Sequence, residues 1–240
     1  MDIEIYSKDP PLSPNQLTGK RTNIDRYFYV FISLVGIISI LFAVGPSLVW
    51  QLKTLPRLTS VVKDIPVPES KVLLSPTYAQ NVQVIKDADG FSHFTTTYKP
   101  KETRPREFYV TIPKLKIVNA VAKVDSLNLN QNLSHFPGSA LPGEVGNVFI
   151  TGHSVLPQFN NPKDYLAIFT KLDDLETGDK VEVKIGGNKY EYLVSYSKIV
   201  NPSDVSVLAP FSATGKNLTL MTCVPPGTSL KRLIVVTNLI

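Results

Sequence analysis

Asn217-Leu218-Thr219-Leu220-Met221-Thr222-Cys223-Val224-Pro225-Pro226-Gly227 reads as a β-strand that runs into a loop. On a strand, side chains alternate between faces. Leu218, Leu220 and Thr222 therefore point one way, and Thr219, Met221 and Cys223 the other. Pro225 and Pro226 have no N–H to donate and cannot continue a ladder, which puts the thiol at the rim of a sheet, within reach of solvent. Cys223 is the one cysteine in 240 residues. A lone thiol makes neither an internal disulfide nor a multi-cysteine zinc site. It is left with three roles: a small buried hydrophobe, an intermolecular link, or a reagent.

Around this strand the pattern is one of short β-runs at close spacing. Residues 108–112 and 117–124 are β-rich and separated by Pro113. The turn Pro142-Gly143 precedes a short strand over 147–152. Residues 164–175 place Leu166, Phe169, Leu172 and Leu175 three apart, which suits a short helix or 3₁₀ turns. The turn Gly186-Gly187-Asn188 joins strands over 180–185 and 189–200. The last two strands fall at 218–222 and 230–237. Many short strands with few helices predict an all-β domain over 107–240, a sandwich or closed barrel.

The N-terminal half has a different character. Residues 1–26 are polar and proline-bearing and read as a disordered tail. Residues 27–52 contain no charged side chain, and about 20 apolar residues suffice to cross a bilayer. Tyr27, Phe28 and Tyr29 at one end and Trp50 at the other are spaced like interfacial aromatic belts. The run is too long for a signal-peptide core, and Pro46 spoils the cleavage point after Ala43-Val44-Gly45. It reads as an uncleaved transmembrane anchor. Basic residues flank both ends equally, with Lys20, Arg21 and Arg26 before it and Lys53, Arg57 and Lys63 after it, so charge leaves the orientation open. Residues 53–106 carry six prolines and read as a partly structured stalk, in which 61–62, 72–74 and 82–85 are apolar enough for a strand or short helix.

The formal charge of +5 invites a nucleic-acid reading, but its distribution argues against one. Residues 1–106 hold +4 of it and residues 107–240 only +1. The C-terminal domain lacks the basic face that would gather phosphates.

Two further side chains accompany the thiol as candidates. Arg232 is the one arginine after Arg106, and it opens the strand that follows the cysteine loop. A guanidinium is charged at all working pH values and offers a planar fork of donors to an oxyanion or carbonyl. The competing reading is a surface ion pair. His153 follows a strand in Thr151-Gly152-His153-Ser154 and is one of three histidines, with His93 in the stalk and His135 in a loop. Imidazole exchanges protons near neutral pH. The glycine before it permits a close approach or an unusual backbone angle. Spacing alone does not bring His153 to Cys223.

These residues resemble those of the sortase family. Thr219-Leu220-Met221-Thr222-Cys223 with Arg232 nine residues on is similar to the family's most specific element. Pro142-Gly143-Glu144-Val145-Gly146-Asn147 followed by Gly152-His153 is similar to a second, and Val110-Thr111-Ile112-Pro113-Lys114-Leu115 to the family's first strand. Phe169, Leu172 and Gly178-Asp179 match its connecting segment, so the likeness runs over about 107–240. It implies a closed eight-stranded β-barrel with short connecting helices, tethered at the plasma membrane by the single N-terminal helix with the domain outside the cytoplasm. It implies a cysteine transpeptidase that cleaves a Leu-Pro-x-Thr-Gly-like sorting signal through a thioester. The acyl group then passes to an amine on a cell-wall precursor or another protein. The resemblance makes Cys223 the nucleophile, His153 the acid and base, and Arg232 the oxyanion stabiliser. It puts Thr222 at the oxyanion and substrate site; His135 is read either as a plain loop histidine or as part of the substrate groove, and neither metal nor cofactor is expected. Two other functions are compatible with the same residues: a cysteine hydrolase using the same acyl-enzyme, and a non-catalytic tethered β-domain.

Overall fold

The structure, a computed structural model, describes residues 23–60, 82–86, 92–99, 103–210 and 214–240. The expected tail up to residue 22 and the apolar stalk pieces at 61–62 and 72–74 lie outside the described residues. The chain divides into two compact units, Met1–Gly45 and Pro46–Ile240.

Helix α1 (Asn23–Ser60) begins in the first unit, where its described apolar side chains are largely exposed. Over Arg26–Leu58 it is long and apolar enough to cross a membrane, compatible with a single-pass anchor. The end of α1 that belongs to the second unit does something the composition did not suggest. Trp50, expected at a lipid–water interface, is buried, and its Nε1–H donates to the Asp173 carboxylate at 2.6 Å. Arg57 donates to the Asp173 carbonyl at 2.6 Å, and Leu58 joins the main core. Indole has one donor and needs a partner when buried, and the 3₁₀ turn Leu172–Asp174 supplies it.

The second unit holds a two-stranded hairpin and a closed barrel. The hairpin pairs β1 (Val82–Lys86) with β2 (Ser92–Thr96) antiparallel, Val84 facing Phe94. The barrel strands are β3 (Glu107–Ile112), β4 (Ile117–Lys123), β5 (Leu133–His135), β6 (Gly146–Thr151), β7 (Lys180–Ile185), β8 (Asn188–Val200), β9 (Lys216–Val224) and β10 (Lys231–Leu239). They close in the order β10-β8-β7-β3-β4-β5-β6-β9. β4–β5 and β6–β9 are parallel and every other pair in the barrel is antiparallel.

The alternation in the sequence sorts the side chains into two cores. Phe108, Val110, Val148, Ile150, Leu218, Leu220, Leu233 and Val235 fill the interior with partners from the other strands. The intervening residues of β6, β9 and β10 form a second cluster on the outer face: Phe149, Met221, Ile234 and Val236. A 3₁₀ turn at Val205–Leu208 adds Val207 and Leu208 to that cluster. Asn147 fixes the turn there. Its amide donates to the Val207 carbonyl at 3.1 Å and its oxygen accepts from Thr219 Oγ1 at 2.7 Å.

His135 departs from expectation. It lies on β5, not in a loop, and is fully buried, with its ring edge-on to Phe108. Strand β5 is only three residues long and reads Leu-Ser-His, too short and too polar for a β-pattern to announce it. The Asp125 N–H points at His135 Nδ1 (3.3 Å), so Nε2 carries the proton and donates to the Ala140 carbonyl at 2.9 Å. Burial pushes its pKa from 6.5 down to about 4. Between those values the unfolded chain binds a proton that the folded chain refuses, so stability falls as pH drops from about 6.5 to about 4. The loss over that interval is on the order of 3 kcal/mol. Thermal unfolding across this range should show it, and His135→Ala should flatten the slope while costing about 2–4 kcal/mol at pH 7.

Candidate active site

Strand β9 ends beside two partners that bring the candidate residues together. On its antiparallel edge Cys223 sits directly opposite Arg232 of β10. Side chains of directly opposed residues have Cβ atoms about 4.5–5.5 Å apart. On its parallel edge β9 runs beside β6, with Phe149 opposite Thr219, Ile150 opposite Leu220 and Thr151 opposite Met221. Continued by two residues, that register pairs His153 with Cys223.

Past the ladder's last pair, hydrogen bonds hold the same alignment. Gly152 N–H donates to the Met221 carbonyl at 3.1 Å, and Thr222 Oγ1 donates to the Gly152 carbonyl at 2.9 Å. Ser154 Oγ donates to the Cys223 carbonyl at 2.7 Å. The residue before His153 and the residue after it are thus both tied to the cysteine segment. The histidine carbonyl itself accepts from Phe169 N–H at 3.0 Å. Gly152 is required by close approach rather than by backbone angle: a Cβ there would stand 2.5 Å from the Phe169 ring and 2.9 Å from Leu133. In the loop after the cysteine, Gly227 has φ +81° and lies against Leu156, so the turn needs its left-handed backbone.

Cys223, His153 and Arg232 line one cavity of about 470 Å³, together with Thr222, Phe136 and Met221. Thr222 is among the lining residues. His135 is not: its ring is enclosed behind the cavity wall, between Phe108 and Ala140, and its neighbours Ser134 and Phe136 face the opening instead. Ser154 carried no sequence signal beyond its adjacency to the histidine, and its bond to the Cys223 carbonyl is visible only in the fold. Arg232 is largely buried, and its Nη1 donates to the carbonyls of Ser229 (3.0 Å) and Lys231 (3.1 Å). These bonds curl the guanidinium back over the cysteine loop. Among the described residues no group of three or more His, Cys, Asp and Glu is arranged to hold a metal ion.

Burial acts on both titrating groups in the direction of neutrality. It pushes the Cys223 thiol above its ordinary range, an effect the Arg232 charge partly offsets, and it holds the His153 imidazole below its ordinary range. At neutral pH the resting pair is chiefly thiol and neutral imidazole, with the reactive thiolate a minor species.

A sortase-domain model matches residues 110–240, more than half of the chain. The chain belongs to the sortase family. Sortase D of Bacillus subtilis (strain 168) is 27% identical over 143 residues, 58% of this chain and 66% of the relative, so this sortase spans just under two thirds of that protein. Among solved structures, a Clostridium perfringens Sortase D5 transpeptidase is 28% identical over 56% of this chain and 78% of its own, with a TM-score of 0.47. A lid mutant of Sortase A from Corynebacterium diphtheriae is 28% identical over 58% and 73%, with a TM-score of 0.49. Both TM-scores are below 0.5, and the family assignment rests on the domain match.

Because the chain has one thiol, its titration can be read directly. The rate of Cys223 alkylation by iodoacetamide should climb about tenfold per pH unit from pH 6 and continue to climb beyond the ordinary thiol range. Arg232→Ala should slow alkylation at every pH on that slope, since the charge that favours the thiolate is gone. A plateau near pH 7 would contradict the burial argument.

Proposed function

We propose that this sortase is a cysteine transpeptidase in which Cys223 is the nucleophile, His153 the acid and base, and Arg232 the oxyanion stabiliser. The supporting observation is the alignment at the end of β9, where Arg232 is the cross-strand partner of Cys223 and the flanks of His153 are bonded to the cysteine segment. His153 takes the Cys223 Sγ proton and becomes imidazolium, and the thiolate attacks the carbonyl carbon of the Thr–Gly bond in a Leu-Pro-x-Thr-Gly-like signal. The carbonyl oxygen takes up negative charge beside the Arg232 guanidinium, with the Thr222 region near it. The C–N bond then breaks, the leaving amine takes a proton from the His153 imidazolium, and the acyl group remains on sulfur as a thioester. An incoming amine passes a proton to His153 and attacks the thioester. A new amide forms and the thiolate is released.

The same reading makes the substrates secreted proteins bearing a sorting signal, and the acceptor an amine on a peptidoglycan precursor or another protein. It places the domain on the outer side of the plasma membrane, where such amines are found, with α1 as anchor.

Incubating the full chain in detergent with a sorting-signal peptide and an amine such as triglycine should yield the ligated peptide by mass spectrometry. Cys223→Ala should lower product by at least about 10³-fold with the fold retained. Arg232→Ala should lower kcat by about 10²- to 10³-fold, and Arg232→Lys should recover little of it, since an ammonium lacks the planar fork. Full activity of Cys223→Ala would refute the assignment.

A further inference from the structure

One wall of the cavity lies upstream of the region the family model reaches. The match begins at residue 110, yet His93 and Phe94 of β2 line the cavity beside Cys223, His153 and Arg232. Phe94 is buried, with its ring edge-on to Phe136 at 6.4 Å and 89°, and tilted against Phe149 at 6.4 Å and 52°. Val82 of β1 packs on the same cluster. That cluster covers the outer face of β9 and β10, the face whose next residues along the strands are Cys223 and Arg232. An isolated two-stranded hairpin is marginally stable in water, so this packing is what holds it in place.

The chain between hairpin and barrel is stitched down as well. The Tyr98 ring lies against Gly138. Arg104 binds the Asp125 carboxylate at 3.0 Å and the Ser139 carbonyl at 2.8 Å. Gly138 N–H donates to the same Asp125 oxygen at 2.9 Å. The hairpin is thereby fixed from behind at the loop that follows β5, and Phe94 has both a structural backing and a surface facing the opening. Phe136 and Met221 of the same apolar cluster line the cavity with Phe94, and Leu127 and Leu129 join them, interspersed with Asn128 and Asn130.

We propose that the β1–β2 hairpin is a wall of the substrate groove, and that Phe94 is a specificity-determining residue contacting an apolar side chain of the bound peptide. The proposal rests on the transpeptidase reading above for the identity of the ligand as a peptide. Phe94 is not a catalytic residue in it. The hairpin shapes what reaches the thiol, and His93 on its exposed side forms the rim.

The test uses the full chain with Phe94→Leu, which keeps an apolar side chain in the cluster, and Phe94→Trp, which enlarges it. Thermal unfolding reports whether each variant retains the fold. Steady-state kinetics are measured over sorting peptides in which each position in turn is Ala, Leu or Phe. In Phe94→Leu the loss should fall on KM, up about fivefold for the preferred peptide, rather than on kcat, the pattern of lost uniform binding. The preference at one peptide position should move toward the bulkier side chain, and Phe94→Trp should move it the other way. A purely structural role would leave that preference untouched. Unchanged KM and unchanged preference in both folded variants would overturn the proposal. So would faster thiol alkylation at unchanged KM, which would make the hairpin a shield over the cysteine.

Binding separates this inference from the turnover it rests on. The Kd of a fluorescently labelled sorting peptide, measured by anisotropy on the Cys223→Ala chain, should rise about fivefold when Phe94→Leu is added. An unaltered Kd overturns the wall. Absence of ligated product from the wild-type chain with every peptide, alongside a Phe94-dependent Kd, would instead count against the transpeptidase reading and in favour of the wall.

Discussion

Strand β9 is held along both edges by unlike ladders, antiparallel to β10 and parallel to β6. An antiparallel partner is reached through a short loop, so Arg232 arrives opposite Cys223 nine residues later in the chain. A parallel partner requires a long crossover, and the residues between His153 and Cys223 build the connecting turns, β7, β8 and the 3₁₀ turn at Val205–Leu208. Two whole barrel strands lie between the imidazole and the thiol in sequence, and the thiol sits near the end of a third. Their meeting is therefore a property of barrel closure rather than of any local segment.

The barrel's outer face follows from the same strands. β9 and β10 are buried on both sides, the interior side by the main core and the other by Phe94, Phe136, Phe149 and the turn bearing Val207 and Leu208. Cys223 and Arg232 belong to the outer set. They lie where the second apolar layer ends, Cys223 half-buried and Arg232 largely buried. That position accounts for the electrostatics: enough burial to raise the thiol and lower the imidazole, with one guanidinium close enough to offset part of the shift.

Polar groups inside the fold are spent on aligning these layers. Asn147 and Thr219 fix the 3₁₀ turn over the outer face, while Thr222 and Ser154 join the histidine and cysteine segments. His135 belongs to this group and not to the groove. Its neutral ring satisfies Asp125 and Ala140 at the junction of β5 with its loops. A histidine whose two chain neighbours line the cavity resembles a functional one in the sequence. Enclosure by Phe108 settles the matter, because a fully buried ring cannot touch a peptide.

The sequence by itself determined most of the barrel strands, the long apolar segment near the N-terminus, the rim position of Cys223 and the alternation that puts Met221 and Cys223 on one face. Each of these depends on a period of two or on a run of one residue type, which a local reading detects. It also carried Thr219-Leu220-Met221-Thr222-Cys223 and Arg232, a spacing short enough to survive as a motif. Tertiary structure alone decided that β5 exists, that Trp50 is buried on Asp173, that His135 is enclosed, and that Phe94 reaches the cavity. These depend on which surfaces meet when the barrel closes, and contacts across scores of residues leave no period in the chain for a local pattern to show.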